Sequence, residues 1–309
     1  MRHLTEISDF STEEISRLIS VSRDIMTNEQ SYIDAMKGKV MATLFYEPST
    51  RTKFSFEAAM QRLGGTVIGF TGTQNTSVSK GETLKDTVRM VAAYSDLIVM
   101  RHFEAGAPMQ AAKVATVPVV NAGDGGNQHP TQTLTDILTI SQEKGRLDNL
   151  NIVLVGDLKY GRTVHSLVKA MRRYKNNKFY FVSPKELQMP DYIKQLLDES
   201  QYEELENLDE AIKQADVLYM TRVQRERFEY AEQYEKLKDV YILDKGKMDK
   251  ASNEMIVLHP LPRVNEIAEE VDDDPRAKYF QQAKYGMYAR MALILTLEDM
   301  KKRGKNDIN

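Results

Sequence analysis

The chain contains no cysteine among its 309 residues. Disulfides, thiolate metal sites and a cysteine nucleophile are therefore excluded. The sequence also has no apolar run that approaches the roughly 18 residues of a membrane-spanning helix, and residues 1–6 lack the apolar core of a signal peptide. We expect a cytoplasmic protein with no membrane partner.

An excess of charge of one sign is also lacking. The 42 basic and 45 acidic residues leave a net charge of -3. A general nucleic-acid surface normally carries excess positive charge, so we expect no nucleic-acid partner, although a local basic pocket is compatible with this balance. A chain of this length is expected to form about two domains.

Apolar runs predict strands, and apolar residues at helical spacing predict helices between them. The predicted strands are residues 40–46, 66–70, 96–100, 117–120, 151–155, 178–182, 216–220, 240–243 and 255–258. Strands that alternate with helices indicate crossover units and parallel sheets. The predicted fold class is therefore α/β, with two domains that are each a parallel β-sheet flanked by helices. The glycine-rich residues 121–127 are predicted to form a loop, and the domain junction is placed along the helix that follows.

Residues 45–52, with the sequence FYEPSTRT, lie between a predicted strand and a predicted helix. Ser49 and Thr50 occupy the expected helix N-cap region, where unpaired amide groups and the helix dipole favour an anion. Ser49, Thr50 and Thr52 can donate hydrogen bonds, and the planar fork of Arg51 fits a phosphate. This pattern predicts a phosphate site; the alternative is an ordinary capped helix with a surface arginine.

Charged and polar residues also follow other predicted strands, at the edge where open parallel sheets bind ligands. Arg101 directly follows the strand at 96–100, and His129 begins a helix after the glycine-rich loop. A helix N-terminus lowers a histidine pKa, so His129 is interpreted either as a neutral hydrogen-bond donor or as a simple helix cap. Lys80 lies on a polar loop and is either a solvated side chain or one that covers an anion.

Three segments in the second half of the chain follow predicted strands. Residues 156–163 open a helix but lack the G-x-G-x-x-G spacing of a dinucleotide site. Residues 221–224 and 259–263 follow two further strands, and the Pro-Leu-Pro run in the latter can present a fixed carbonyl. The side chains that suit carboxylates are Arg162, Arg222 and Gln224. Sorted by charge, the sequence predicts a cleft with a phosphate on one wall and a dicarboxylate on the other.

The motifs resemble those of the aspartate carbamoyltransferase family, whose catalytic subunit the chain is similar to along essentially its whole length. FYEPSTRT at 45–52, HPTQ at 129–132 and HPLPR at 259–263 occur in the order and spacing of the family. The first motif is shared by all carbamoyltransferases and indicates the reaction class. Residues 222–224 (RVQ) and Pro260 indicate aspartate as the acceptor, because ornithine carbamoyltransferases have an Asp with a Ser-Met-Gly run and a cysteine there.

The resemblance implies transfer of a carbamoyl group from carbamoyl phosphate to the amino group of L-aspartate. The products would be N-carbamoyl-L-aspartate and phosphate, in de novo pyrimidine biosynthesis, with no cofactor and no metal. The implied catalytic residues are Arg51, Thr52, Lys80, Arg101 and His129. The implied carbamoyl phosphate site contains Ser49, Thr50, Arg51, Thr52, Arg101, His129, Gln132, Leu261 and Pro262. The implied aspartate site contains Lys80, Arg162, Thr163, Arg222 and Gln224.

The family also implies an organisation for the chain. Residues 1–130 with 285–309 would form the carbamoyl phosphate-binding domain, and residues 131–284 the aspartate-binding domain. The subunits would form a homotrimer with shared active sites, to which a neighbouring subunit contributes Ser77 and Lys80. Regulatory subunits are a further partner in some members. Phe103 replaces a proline found in many members near the surface that meets those subunits.

Other functions remain open at this level. A carbamoyltransferase for another amine, such as ornithine, would use the same phosphate motif. A non-catalytic phosphometabolite-binding protein could have the same fold. A dinucleotide-dependent oxidoreductase is disfavoured because the glycine fingerprint is absent.

Overall fold

The computed structural model describes residues 1–224, 231–237 and 239–306. The chain divides into two compact units, Met1–Leu138 with Tyr285–Asn309, and Thr139–Lys284. Both divisions fall inside helices, in α5 (Pro130–Lys144) and in α11 (Tyr279–Asn306). The first unit extends past the predicted residue 130 because α5 continues without a break through that position.

The first unit contains a parallel sheet with the strand order β2-β1-β3-β4. Its strands are β1 (Val40–Phe45), β2 (Thr66–Thr71), β3 (Leu97–His102) and β4 (Val119–Asp124). The other helices are α1 (Thr12–Asn28), α2 (Thr50–Arg62), α3 (Leu84–Tyr94) and α4 (Ala107–Ala112). All residues of β3 and β4 are buried, whereas β2, an edge strand, is largely exposed. An interior parallel strand such as β3 is covered on both faces, which explains its apolar run. The strand β4 lies at the opposite edge of the sheet, where Leu4 bridges to Val120.

The second unit contains a parallel sheet with the strand order β7-β6-β5-β8-β9. Its strands are β5 (Asn151–Val155), β6 (Lys178–Val182), β7 (Tyr202–Leu205), β8 (Val217–Met220) and β9 (Ile256–Leu258). Its helices are α6 (Arg162–Met171), α7 (Asp191–Lys194), α8 (Leu208–Ala211), α9 (Ala231–Leu237) and α10 (Lys245–Met248). None of the described helices is both long and apolar enough to cross a membrane.

The predicted α/β class with two parallel sheets is confirmed, but three local predictions are wrong. Residues 240–243 form no strand; Leu243 makes only an isolated bridge to Ile267, and its apolar neighbours are explained by core packing. The edge strand β7 was missed because its sequence, YEEL, is charged and partly exposed. The glycine-rich stretch at 121–127 is not entirely a loop, because β4 continues to Asp124.

Each sheet has one point where the order of strands changes direction. In the first sheet, β2 lies on one side of β1 and the chain then crosses to β3 on the other side. In the second sheet, β6 and β7 lie on one side of β5, whereas β8 and β9 lie on the other. The carboxyl ends of the two central strands diverge at such a switch point, which leaves a crevice for ligands.

Candidate active site

The hydroxyl-rich segment after β1 forms the N-terminus of α2. Ser49 is the N-cap residue with an extended backbone, and its side chain makes no capping hydrogen bond. Thr50 and Arg51 are exposed in the first turn, whereas Thr52 is only 9% exposed. Amide groups at a helix N-terminus point outward and attract anions. The local geometry therefore suits the phosphate site that the sequence predicts.

Arg101 lies on the strand next to this segment, in register with Phe45 of β1. The guanidinium donates from Nη1 to the Ala122 carbonyl at 3.2 Å, and Nη2 lies 2.9 Å from Glu47 Oε2. Burial lowers the pKa of Arg101, the charge of Arg51 lowers it further, and Glu47 opposes both effects. Its buried Nε has no hydrogen-bond partner among the described residues. Arg51 is close enough to Arg101 to lower its pKa, so positive charge is concentrated at this switch point, which suits an anion.

His129 directly precedes α5 and is 7% exposed. Its Nδ1 accepts a hydrogen bond from the Gln132 amide at 3.3 Å, so the ring proton is assigned to Nε2, which can act as a donor. The preceding turn is organised by the buried carboxylate of Asp124, which accepts from the amides of Gly106 and Gln128. The ring of His129 is therefore held in one tautomer, with its donor at Nε2.

Gln132 is connected to a buried pair of charges. Its Nε2 donates to Asp136 Oδ1 at 2.8 Å, and the negative charge of Asp136 acts on Arg290 in α11. Burial lowers the pKa of Arg290 to about 10, an effect that Asp136 opposes. A Cβ at Gly286 would lie 2.6 Å from Arg290 Nη1, so only glycine leaves room for this guanidinium. The Gln132 amide is thus oriented by an element distant in sequence.

Ser77 and Lys80 lie on the connection between β2 and α3. They lie at the two ends of a short 3-10 turn, Ser77–Lys80, that is closed by Gly81 in the left-handed conformation. Both side chains are exposed, whereas Val78 between them packs against the core of the first unit. The turn is therefore anchored by one apolar residue, and its polar side chains are exposed on the surface of this chain.

In the second unit, the segments after β5 and β8 meet at the switch point. Asp157, fully buried, accepts from the Tyr160 amide at 2.9 Å and from the Gln224 amide at 3.4 Å. A Cβ at Gly156 would lie 2.3 Å from the Thr221 carbonyl oxygen, which explains the glycine there. The two segments present the half-buried side chains of Arg162, Thr163, Arg222 and Gln224. The structure thus groups the segments that the sequence assigned to carboxylate binding.

The third segment of this unit follows β9, the neighbour of β8. Leu261 and Pro262 lie at its tip, Leu261 partly buried and Pro262 exposed, with a cis peptide bond between them. Arg263 points to an ion pair with Asp272 and to the ring of Tyr279. The arginine of the HPLPR motif is therefore a support for the loop.

Sequence reasoning did not identify several residues that support these side chains. Asp124 is the last residue of β4 and Asp157 follows β5; both carboxylates are buried, and their position next to glycines was the only local signal. Glu47 lies within the FYEPSTRT motif, but its pairing with Arg101 depends on the packing of β1 beside β3. The link from Asp136 to Arg290 spans about half of the chain and has no local signal.

Hydroxyl and guanidinium groups at one switch point and arginines at the other are typical of a two-domain α/β transferase that handles a phosphorylated and a carboxylated substrate. Comparison with known proteins narrows this class to one family. Residues 2–142 match the model of the aspartate/ornithine carbamoyltransferase carbamoyl-P binding domain, and residues 148–297 match that of the Asp/Orn binding domain. The chain therefore belongs to the aspartate/ornithine carbamoyltransferase family.

Individual relatives agree with this assignment. The chain is 57% identical to the aspartate carbamoyltransferase catalytic subunit of Clostridium kluyveri, over 96% of this chain and 97% of the relative. It is 47% identical to the catalytic subunit of M. jannaschii aspartate transcarbamoylase, with a TM-score of 0.91 and coverage of 98% and 99%. It is 41% identical to the Trypanosoma cruzi aspartate transcarbamoylase in complex with N-(phosphonacetyl)-L-aspartic acid, with a TM-score of 0.90 and coverage of 96% and 95%.

Proposed function

We infer that the protein transfers the carbamoyl group of carbamoyl phosphate to the amino group of L-aspartate. The observation that carries this inference is the buried guanidinium of Arg101, with an unpartnered Nε, beside the hydroxyl-rich N-terminus of α2. A relative from Trypanosoma cruzi, 40% identical, is described in complex with both carbamoyl phosphate and aspartate. As the family resemblance implies, the reaction takes place in the cytoplasm and serves pyrimidine synthesis.

Carbamoyl phosphate binds to the first unit in this proposal. Ser49, Thr50, Arg51, Thr52 and Arg101 hold the phosphate, whereas Thr52, Arg101 and His129 donate to the carbonyl oxygen. Gln132 and the backbone of Leu261 and Pro262 contact the carbamoyl group. The support is the tautomer of His129, whose Nδ1 accepts from an amide, so that the ring proton is on Nε2.

Aspartate binds to the second unit through Arg162, Thr163, Arg222 and Gln224, with Lys80 as a further ligand. The support is the shared carboxylate of Asp157, which connects the Gln224 backbone to the turn before α6. Arginine forks pair with carboxylates through two parallel hydrogen bonds. In this proposal the carbamoyl phosphate domain is residues 1–130 with 285–309, and the aspartate domain is residues 131–284. The compact unit that contains the carbamoyl phosphate domain extends along α5 to Leu138.

The reaction requires orientation and stabilisation of charge. The neutral amine of aspartate attacks the carbamoyl carbon, and the carbonyl oxygen gains negative charge as the C–N bond forms. The C–O bond to phosphate then breaks, phosphate leaves with the bonding electrons, and the proton of the amine passes to the departing phosphate. Fixed donors near the oxygen and cations near the phosphate lower the free energy of this transition state.

An assay of both acceptors tests the proposal. Purified protein with carbamoyl phosphate should release phosphate and form N-carbamoyl-L-aspartate with L-aspartate, and should give no citrulline with L-ornithine. Citrulline formation would instead support the ornithine reaction. Tight binding of carbamoyl phosphate without transfer to either amine would support a non-catalytic binding protein.

We further propose a homotrimer in which Ser77 and Lys80 complete the site of a neighbouring subunit. Support comes from the exposed edge strand β2, from Phe54 and Ile68, which are 63% and 43% exposed, and from the exposed turn at 77–80. Regulatory subunits are a further partner that the family allows, with Phe103 at 64% exposure on the surface concerned.

Complementation tests the shared sites. Lys80→Ala and Arg222→Ala should each have little activity alone when the aspartate concentration is kept far below the raised KM. After the two variants are mixed, dissociated and reassembled, activity should return, because about one site in three of a hybrid trimer receives neither substitution. No recovery from hybrids of confirmed trimeric mass would show that each site uses residues of one chain.

A further inference from the structure

The loop after β9 contains a buried hydrogen-bonded pair that lies outside the proposed set of substrate ligands. His259 and Glu266 are 2% and 4% exposed. His259 Nδ1 accepts from the Leu261 amide at 2.8 Å, and its Nε2 lies 2.7 Å from Glu266 Oε1. Because Nδ1 is an acceptor, the ring proton is assigned to Nε2 and is donated to the carboxylate.

The second oxygen of Glu266 continues the same arrangement. Oε2 accepts from the amides of Val264 and Asn265 at 3.0 and 3.1 Å. Burial alone would raise the pKa of Glu266, but the hydrogen bonds from His259 and from the backbone amides outweigh it and lower the pKa. The carboxylate therefore stays ionised and holds the loop on both sides of residues 261–263.

The backbone of Leu261 needs such support. Its φ of 54° lies in the left-handed region, which is unfavourable for a residue with a side chain. A conformation of this kind persists only where the surroundings determine it. At Leu261 those surroundings are the bond from its amide to His259, while the amide of His259 donates to Gln282 at 2.9 Å.

We propose that His259 and Glu266 are positioning residues that fix the Leu261 carbonyl as an acceptor for the carbamoyl amino group, so that the site distinguishes carbamoyl phosphate from acyl phosphates without that group. This inference rests on the proposed function. It adds that selectivity for the donor substrate depends on a buried pair that touches no substrate. Removal of the pair weakens the contact with the amino group and leaves the phosphate contacts in the first unit intact.

Binding measured by calorimetry without aspartate tests this selectivity. Carbamoyl phosphate and acetyl phosphate differ by an amino group in place of a methyl group, so the ratio of their Kd values reports on the acceptor. His259→Leu, which removes both ring nitrogens, should reduce the ratio about tenfold, the effect of one hydrogen bond. His259→Asn keeps an acceptor near the position of Nδ1 and should retain most of the ratio.

Glu266→Gln preserves volume and provides a second test if His259→Leu fails to fold. A glutamine places its NH2 group either against Nε2 of His259 or against the amides of Val264 and Asn265, so one of these bonds is lost. The ratio should fall about threefold, part of one hydrogen bond. An unchanged ratio in folded Glu266→Gln, or an equal loss of affinity for both ligands and for inorganic phosphate, would overturn the proposal.

His165→Asn is the matched control. His165 is a buried histidine of the same unit whose ring also bonds to the backbone, through the carbonyl of Leu158. Its substitution should lower the melting temperature without changing the ratio. The wild-type assay with aspartate separates the two hypotheses. If the wild-type protein binds carbamoyl phosphate but transfers nothing to aspartate, the proposed reaction is refuted. If the variants of that protein still lose selectivity, the positioning role is supported on its own.

Discussion

The anion-binding segments of the two units differ in how deeply their charged side chains are buried. In the first unit, Arg101 and His129 are buried and bonded to the backbone or to a carboxylate. In the second unit, Arg162 and Arg222 are half-buried, and the buried carboxylate of Asp157 holds the backbone around them. The first arrangement buries the charged groups themselves, whereas the second buries a carboxylate that organises the loops that present them.

This difference has a consequence for catalysis. Donors that are already in place need no reorganisation when charge develops, so they contribute mainly to the transition state. Half-buried side chains have more rotamers available before binding than buried ones, and ordering them uses part of the binding energy. Substitutions in the first unit should therefore lower kcat, whereas substitutions in the second should raise the KM for aspartate.

The largest effect is expected for Arg101→Met, which keeps length and removes the charge. Because Arg101 contacts phosphate and carbonyl oxygen in the proposal, kcat/KM for carbamoyl phosphate should fall about 1,000-fold, the upper range for loss of one such donor. Steady-state kinetics measures this effect. Arg101→Lys keeps the charge without the planar fork, so its kcat/KM should lie between those of the wild type and Arg101→Met. Near-normal activity of Arg101→Met would show that Arg101 is not part of the site.

The next largest effect is expected for His129→Ala. Loss of a donor aimed at the carbonyl oxygen should lower kcat about 100-fold, with little change in the Kd of carbamoyl phosphate, because the phosphate ligands remain. Stopped-time assays combined with calorimetry separate the two quantities. If affinity fell as much as turnover, His129 would be a ground-state ligand and the comparison of the units would lose its main support.

A smaller effect is expected for Arg222→Ala, and it concerns the KM for aspartate and not kcat. Loss of a charge-assisted pair with a carboxylate should raise the KM for aspartate about 30-fold, near 2 kcal/mol, and leave the Kd of carbamoyl phosphate unchanged. A comparable loss in kcat at saturating aspartate would contradict the division of roles. Lys85→Ala in the first unit is a control that removes a cation elsewhere.

The smallest effect is expected for Asp136→Asn. The variant retains an acceptor for Gln132 but removes the negative charge that opposes the burial of Arg290. We expect kcat to fall about threefold, part of one hydrogen bond, together with a lower melting temperature. Scanning calorimetry and kinetics on the same preparation would measure both, and a large loss of kcat with normal stability would assign Asp136 a direct role.

Much of the fold follows from local patterns. The strands at 151–155 and 178–182 were predicted with the bounds observed, because each is an apolar run buried in the sheet. The same criterion failed at 240–243, since apolar residues that fill a core need not pair as a strand. It also missed β7, because an exposed edge strand has little need of apolar residues.

The sequence also indicated which residues follow strand ends, but not what holds them. Strand order determines that β1 lies beside β3 and β5 beside β8, and this order is a property of the whole chain. The pairing of Glu47 with Arg101 and the bond from Asp157 to Gln224 follow from it. Interactions of this kind have no periodicity, so only the assembled structure reveals them.

The return of the last helix to the first unit makes that unit discontinuous in sequence. A gene fragment that ends near residue 138 would include Asp136 but lack Arg290, Gly286 and the rest of the helix from Tyr285. A buried carboxylate without its cation is costly, so such a fragment should fold poorly. A variant that lacks residues 139–284, so that the tail from Tyr285 follows residue 138 directly, is the more promising way to produce this half as an isolated domain.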